Sequence, residues 1–234
     1  MLASSIRFYT KAGWARWMHH GSAPSNKPLR GMVDYWGQEC EKHRFITETA
    51  AEVARSYGYE EIRTPILEDI SVFKRSLGDD SDVIGKELYT FVDKNGQEVV
   101  MRPEGTAGVT RAMVSENLQY RLPQKLYYAG PMFRHERPQR GRLRQFTQVG
   151  IEVFGHAYPS ADIECIAVGM KLLQNLGLGD SIELKINSLG NAETRAKYRG
   201  ELRKYLEDYR EELSADSQRR YMHDDQQGRG WKAT

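Results

Sequence analysis

The sequence has 234 residues, 34 basic and 32 acidic side chains, 39% hydrophobic residues and 28% charged ones. That length allows one sizeable domain with a real core, and the composition is too rich in apolar side chains for a disordered chain. No apolar run approaches the ~18 residues of a membrane span. Two cysteines, Cys40 and Cys165, give neither a disulfide framework nor a Cys-x-x-Cys pair, which favours a reducing compartment.

The net charge of +2 joins two unlike segments. The first 33 residues carry Arg7, Lys11, Arg16, Lys27 and Arg30 with no acid, leaving 29 basic against 32 acidic side chains beyond them. Within residues 1–30, Leu2, Ile6, Tyr9, Gly13 and Trp17 share a helical stripe, with Arg7 and Lys11 opposite and Arg16 out of pattern. This is the composition of an organellar transit peptide over residues 1–28, directed to the mitochondrial matrix ahead of a plastid. A cytoplasmic protein with a disordered leader is the plain alternative.

Beyond the leader, Ile46, Ala50, Val53 and Tyr57 recur at helical spacing before Gly58, which predicts a helix over 38–57. Residues 59–67 read as a strand interrupted by Pro65, and 88–92 with 98–102 as a hairpin around Asp93-Lys94-Asn95-Gly96. A helix is expected over 106–118, then strands over 125–134 and 144–154 joined by a basic loop. Ser160 can cap a helix to about residue 176, residues 181–187 make a short strand, and Asn191 can cap a helix to about residue 213. The pattern is α+β with a mainly antiparallel sheet.

The chemistry concentrates in two clusters. Between Arg134 and Arg144 five arginines fall within eleven positions, a density that asks for an anion between the guanidinium groups, and phosphate suits their forked donors. A solvated basic loop is the alternative. Strand alternation from Arg144 then places Arg144, Phe146, Gln148, Gly150 and Glu152 on one face, with Val149, Ile151 and Val153 on a core face. An aromatic, an amide and a carboxylate in such a row make a binding floor. Phe146 could equally pack under the loop, and Glu152 could pair with an arginine. The second cluster is Arg102-Pro103-Glu104-Gly105-Thr106, where Gly105 lets backbone approach a ligand. By itself it also reads as a Thr106 helix cap beside a solvated Glu104.

Three stretches carry a resemblance: residues 102–108 (Arg-Pro-Glu-Gly-Thr-Ala-Gly), residues 130–139 (Gly-Pro-Met-Phe-Arg-His-Glu-Arg-Pro-Gln), and Arg144-Gln145-Phe146 through Glu152-Val153-Phe154-Gly155. Together they resemble histidyl-tRNA synthetase, a class II aminoacyl-tRNA ligase, over about residues 29–220. Ile62-Arg63-Thr64-Pro65 is similar to the first class II motif, and Asn187-Ser188-Leu189-Gly190 to a further family segment. The resemblance implies a class II antiparallel sheet flanked by helices and a homodimer formed through the Pro65 region. It implies activation of histidine with ATP, carried with Mg2+, and transfer to tRNA(His). Arg134 matches the arginine that acts at the α-phosphate, which makes it the expected catalytic residue and a contact to both substrates. Arg142 matches the γ-phosphate ligand, and Glu136 and Phe146 the adenine contacts. Glu104, Thr106 and Gln148 match the residues holding the α-ammonium, with Gly105 between them, and Glu152 the acid reading the imidazole. No protein metal ligand and no tightly bound cofactor is expected.

After Arg220 the family pattern stops, and residues 221–234 read as a polar, disordered tail. The histidine-specific Arg-Gly-Leu-Asp-Tyr-Tyr segment, the third class II motif and an anticodon-binding domain are not found in these 234 residues. The expectation is a catalytic domain incomplete at its C-terminus, impaired or inactive alone. Two other readings stand beside it. One is a histidine-binding module similar to the regulatory subunit of ATP-phosphoribosyltransferase. The other is a non-catalytic isoform that pairs with the complete enzyme.

Overall fold

The computed structural model describes residues 27–77, 87–188, 190–214, 217, 218 and 221. The expected leader lies outside them except for residues 27 and 28, and so does the expected tail except for Tyr221. Contacts divide the chain into two compact units with their boundary between Ser181 and Ile182.

In the first unit, α1 (Gln38–Ser56) carries Glu39 and Glu41 in its first turn and Arg55 in its last, charges that complement the helix dipole. It stops where Gly58, at φ +80°, turns the chain and donates its N–H to the Arg55 carbonyl. The strand expected over 59–67 is two strands in two sheets. β1 (Glu60–Glu61) runs parallel to the long β5 (Gln124–Phe133), whereas β2 (Leu67–Asp69) pairs antiparallel with β4 (Glu98–Met101). Pro65 accounts for the division, because it has no N–H for a ladder and the chain changes partner across it. On its near side Ile62 donates to Tyr127, and on its far side Ile66 accepts from Arg102.

The expected hairpin forms as β3 (Tyr89–Val92) and β4, its turn held by Asp93 Oδ1 accepting from the N–H groups of Asn95 and Gln97. α2 (Ile70–Leu77) connects β2 towards it, and α3 (Thr106–Ser115) follows β4. α3 ends three residues before the expected 118, at left-handed Asn117 and a short 3-10 turn. β5 and β6 (Gln145–Phe154) pair antiparallel along their whole lengths, and the sheet order is β1-β5-β6. α4 (Pro159–Asn175) begins with Pro159 at its first position, so Tyr158 and not Ser160 stands at the cap.

β5 is central in its sheet, and helices pack on both of its faces. Tyr127 packs with Val53, Ala54 and Tyr59 and with Val168 of α4. Its neighbours Leu126 and Tyr128 join Val109 and Met113 of α3 on the other side. The second sheet, β2-β4-β3, is sealed by Phe73, Val100 and Ala107. The α+β class stands, with one parallel pair and two three-stranded sheets among the described residues.

In the second unit, residues 182–188 form no strand, correcting the expectation for 181–187. A strand exists only through a paired neighbour, and here Leu184 and Ile186 are exposed. α5 (Ala192–Glu207) is capped as expected, Asn191 Oδ1 accepting from the Thr194 N–H at 2.8 Å. It stops at Glu207 rather than 213, because Asp208, Glu211 and Glu212 place negative charge where the dipole disfavours it. No helix among the described residues is long and apolar enough to cross a membrane.

Candidate active site

β6 lays out the floor. Phe146, Gln148, Gly150 and Glu152 alternate along one face, opposite Met132, Gly130, Tyr128 and Leu126 of β5. Six residues of strand separate Phe146 from Glu152, about 20 Å. The opposite face behaves as expected, Ile151 and Val153 packing on the core. Phe146 also packs partly into the second core cluster, beside Met132. Arg144 departs from the expected alternation. It precedes the strand, and its Nε donates to the Glu136 carbonyl at 3.1 Å, so it clamps the loop and does not extend the floor.

At one end stands Arg134, the first residue beyond β5. Its backbone N–H donates to the Arg144 carbonyl at 2.9 Å and its Nε to the Pro103 carbonyl at 2.9 Å. The guanidinium lies 5.2 Å over the Phe146 ring, an attraction that holds a cation on an aromatic face. Stacking of a base on Phe146 must therefore share the ring with Arg134. Glu136 stands between two guanidinium groups, 3.8 Å from Arg134 Nη1 and 3.5 Å from Arg142 Nη1. Its carboxylate offsets their mutual repulsion. Of the five arginines, Arg134 and Arg142 flank its carboxylate, Arg142 from an exposed position.

At the other end the turn before α3 meets β6. Thr106 Oγ1 donates to Glu152 Oε1 at 2.7 Å, and the Gly105 N–H donates to Gln148 Oε1 at 3.0 Å. Thr106 is thus not the helix cap. Gly105 stands at the cap, and Glu104 just before it accepts the N–H groups of Thr106 and Ala107 at 2.6 and 2.8 Å. Glu152 pairs with hydroxyls and not with an arginine, the second being Tyr128 at 3.5 Å. Burial raises the Glu152 carboxyl above its ordinary pKa, and the Glu104 charge adds to this, while the hydroxyl hydrogen bonds oppose it. Burial likewise pushes Tyr128 up to about 12. Two acids beside hydroxyl and amide groups suit a ligand that brings its own positive charge or N–H.

Tyr128 escaped the sequence reading, and Arg102 stood in the second cluster with no role of its own. Tyr128 fills a slot that only glycine leaves open. A Cβ on Gly105 would stand 2.2 Å from its ring, and one on Gly150 2.3 Å from its hydroxyl. The paired glycines, one in each cluster, were the available signal. Arg102 is buried, its Nη1 donating to the Thr64 carbonyl at 2.8 Å and its Nε to the Pro131 carbonyl at 3.0 Å. It ties β4 to β5 and so holds Pro103, whose carbonyl in turn holds Arg134. Among the described residues no group of three or more His, Cys, Asp or Glu could hold a metal ion.

Residues 31–219 match the family model for histidyl-tRNA synthetase. The chain belongs to the histidyl-tRNA synthetase family. It is 53% identical over 191 residues to the histidine–tRNA ligase of Rhodospirillum rubrum, covering 82% of this chain and 46% of that protein. With the ligase of Gluconacetobacter diazotrophicus it shares 50% identity over 196 residues, 84% of this chain and 47% of the relative. Among solved structures, the apo histidyl-tRNA synthetase of S. aureus superposes with a TM-score of 0.62 at 37% identity, over 83% of this chain and 46% of that one. An ATP phosphoribosyltransferase regulatory subunit/histidyl-tRNA synthetase from Bacillus halodurans gives the same TM-score at 26% identity, over 86% and 55%. The chain thus spans under half the length of the curated histidyl-tRNA synthetase relatives it matches. The three stretches that carried the resemblance all lie in the matched region, and they form the two ends of the floor.

Proposed function

We propose that this chain carries the ATP- and histidine-binding floor of a histidine–tRNA ligase. The observation that carries the reading is the two-ended strand β6: an arginine pair across Glu136 at one end, a hydroxyl-bonded, half-buried carboxylate at the other. ATP, brought as its magnesium complex, would lie with its phosphates at Arg134 and Arg142 and its base at Phe146 and Glu136. Histidine would lie between Glu104, Thr106 and Gln148 and Glu152, with tRNA(His) the acceptor. Attack of the histidine carboxylate on the α-phosphorus builds charge on the phosphate oxygens. Arg134 is fitted to stabilise that charge, because its Nε is already fixed on Pro103. The Glu152 carboxylate accepts an imidazole N–H and would be left unpaired by an analogue lacking one.

Titration of the 234-residue chain with ATP and histidine separately tests the reading. Arg142→Ala should weaken ATP at least about tenfold and leave histidine unchanged, and Glu152→Gln should do the reverse. ATP affinity untouched by Arg142→Ala, or histidine affinity untouched by Glu152→Gln, would sink the assignment. A pure histidine sensor would show the second response without any ATP binding. Mitochondrial import is proposed from residues 1–28 alone. A reporter fused to those residues that stays in the cytoplasm would refute it.

A further inference from the structure

We propose that the turn at residues 29–32 is a positioning element for the arginine loop, with Gly31 as its contact point. The inference rests on the assignment of ATP to that loop. Met32 donates its N–H to the Leu29 carbonyl at 2.9 Å, closing a turn at whose centre Gly31 sits at φ +84°. The neighbouring residues 27–30 and 33–36 are exposed, while Gly31 and Met32 are half-buried, Gly31 against the loop. The Gly31 carbonyl accepts the Arg144 N–H at 2.7 Å. A Cβ at Gly31 would stand 2.8 Å from Arg144 Cγ and 2.9 Å from Pro138 Cγ. Position 31 is therefore closed to side chains twice over, by its backbone conformation and by the loop pressed against it.

Arg144 passes this constraint on. Its carbonyl accepts the Arg134 N–H, and its guanidinium holds the Glu136 carbonyl, so one residue sets both ATP-side groups. The loop is gripped on its other flank too. His135 donates its N–H to the Glu87 carbonyl at 2.7 Å, and its ring meets Tyr89 edge-on at 5.2 Å. A long loop of like charges would otherwise sample many positions. Clamped on both sides it arrives at the phosphates already placed, which lowers the ordering cost of binding.

Gly31→Val in the full 234-residue chain tests this, read by ATP and histidine titration together with hydrogen exchange. The expected result is ATP affinity weakened about tenfold with histidine affinity within about twofold, since small misplacements of catalytic groups are costly. Exchange should quicken over residues 134–144 while β5 keeps its protection. Unchanged ATP affinity in a chain where Arg142→Ala loses it would overturn the proposal. So would equal losses for both ligands with faster exchange throughout β5, which would mark a general folding role. If Arg142→Ala leaves ATP binding intact, the ATP assignment fails, and the positioning role is decided by the exchange of residues 134–144 alone. Should Gly31→Val not fold, Gly31→Ala brings only the Cβ to the same contact and is read identically.

Discussion

Glu152 shows how a ligand site conflicts with stability. Its carboxyl is half-buried with hydroxyls as partners, so ionising it in the folded protein costs more than in the unfolded chain. The sign follows from the raised pKa. Stability from this group is fully present below the unfolded value, where the carboxyl is protonated in both states. It is lost as pH rises through the folded value, where only the folded state resists ionisation. Glu152→Gln should therefore melt no lower than the parent at pH 7, with the two curves converging as pH falls below about 4. Thermal melts across that range check it, and a large loss of melting temperature at pH 7 would contradict it. The same substitution removes the carboxylate charge and puts an amide NH2 donor where one of the two acceptor oxygens stood, which weakens the hold on an imidazole N–H. A more stable chain that has lost histidine is the expected trade. Tyr128 belongs to the same argument, because two glycines leave room for its ring beside the carboxylate.

Between elements, the pair that matters most joins α3 to β2. Arg111 donates through Nε and Nη2 to Glu68 Oε1 at 3.1 and 2.8 Å, and the Glu68 side chain is only 7% exposed. Glu68 is the buried middle residue of its three-residue strand, between exposed Leu67 and Asp69. Arg111→Ala strands a buried carboxylate and should cost about 2–3 kcal/mol, less than for a fully enclosed pair because the arginine is partly exposed. Adding Glu68→Gln should recover part of the loss. Denaturant midpoints of the single and double variants measure the difference, and an Arg111→Ala midpoint equal to the parent's would disprove the coupling. The consequence reaches the site, since α3 begins at Thr106 and carries the turn that holds Gln148 and Glu152.

For the whole molecule, the sheet β2-β4-β3 presents β2 as an edge, with Ile66 and Leu67 about half exposed just past Pro65. Exposed apolar side chains on an unpaired strand edge invite a second chain. A homodimer through this region is our proposal, and sedimentation should give about twice the monomer mass, with Leu67→Glu shifting it to monomer. A monomeric parent chain would refute it.

The local order of the chain determined much by itself. Alternation along residues 145–154 placed Phe146, Gln148 and Glu152 on one face, because side-chain direction in a strand depends on parity alone. Asn191, Gly58 and the turn at 93–96 gave their elements by local hydrogen bonding and backbone freedom. Three arrangements needed the tertiary structure. The strand at 59–67 divided because pairing partners, not propensity, assign a strand to a sheet. Residues 181–187 stayed unpaired for the same reason. Arg144 took a positioning role because Gly31, far back in the chain, and Glu136, across the loop, offered partners that no spacing rule displays. Sequence decides which groups face one way; only packing decides what they face.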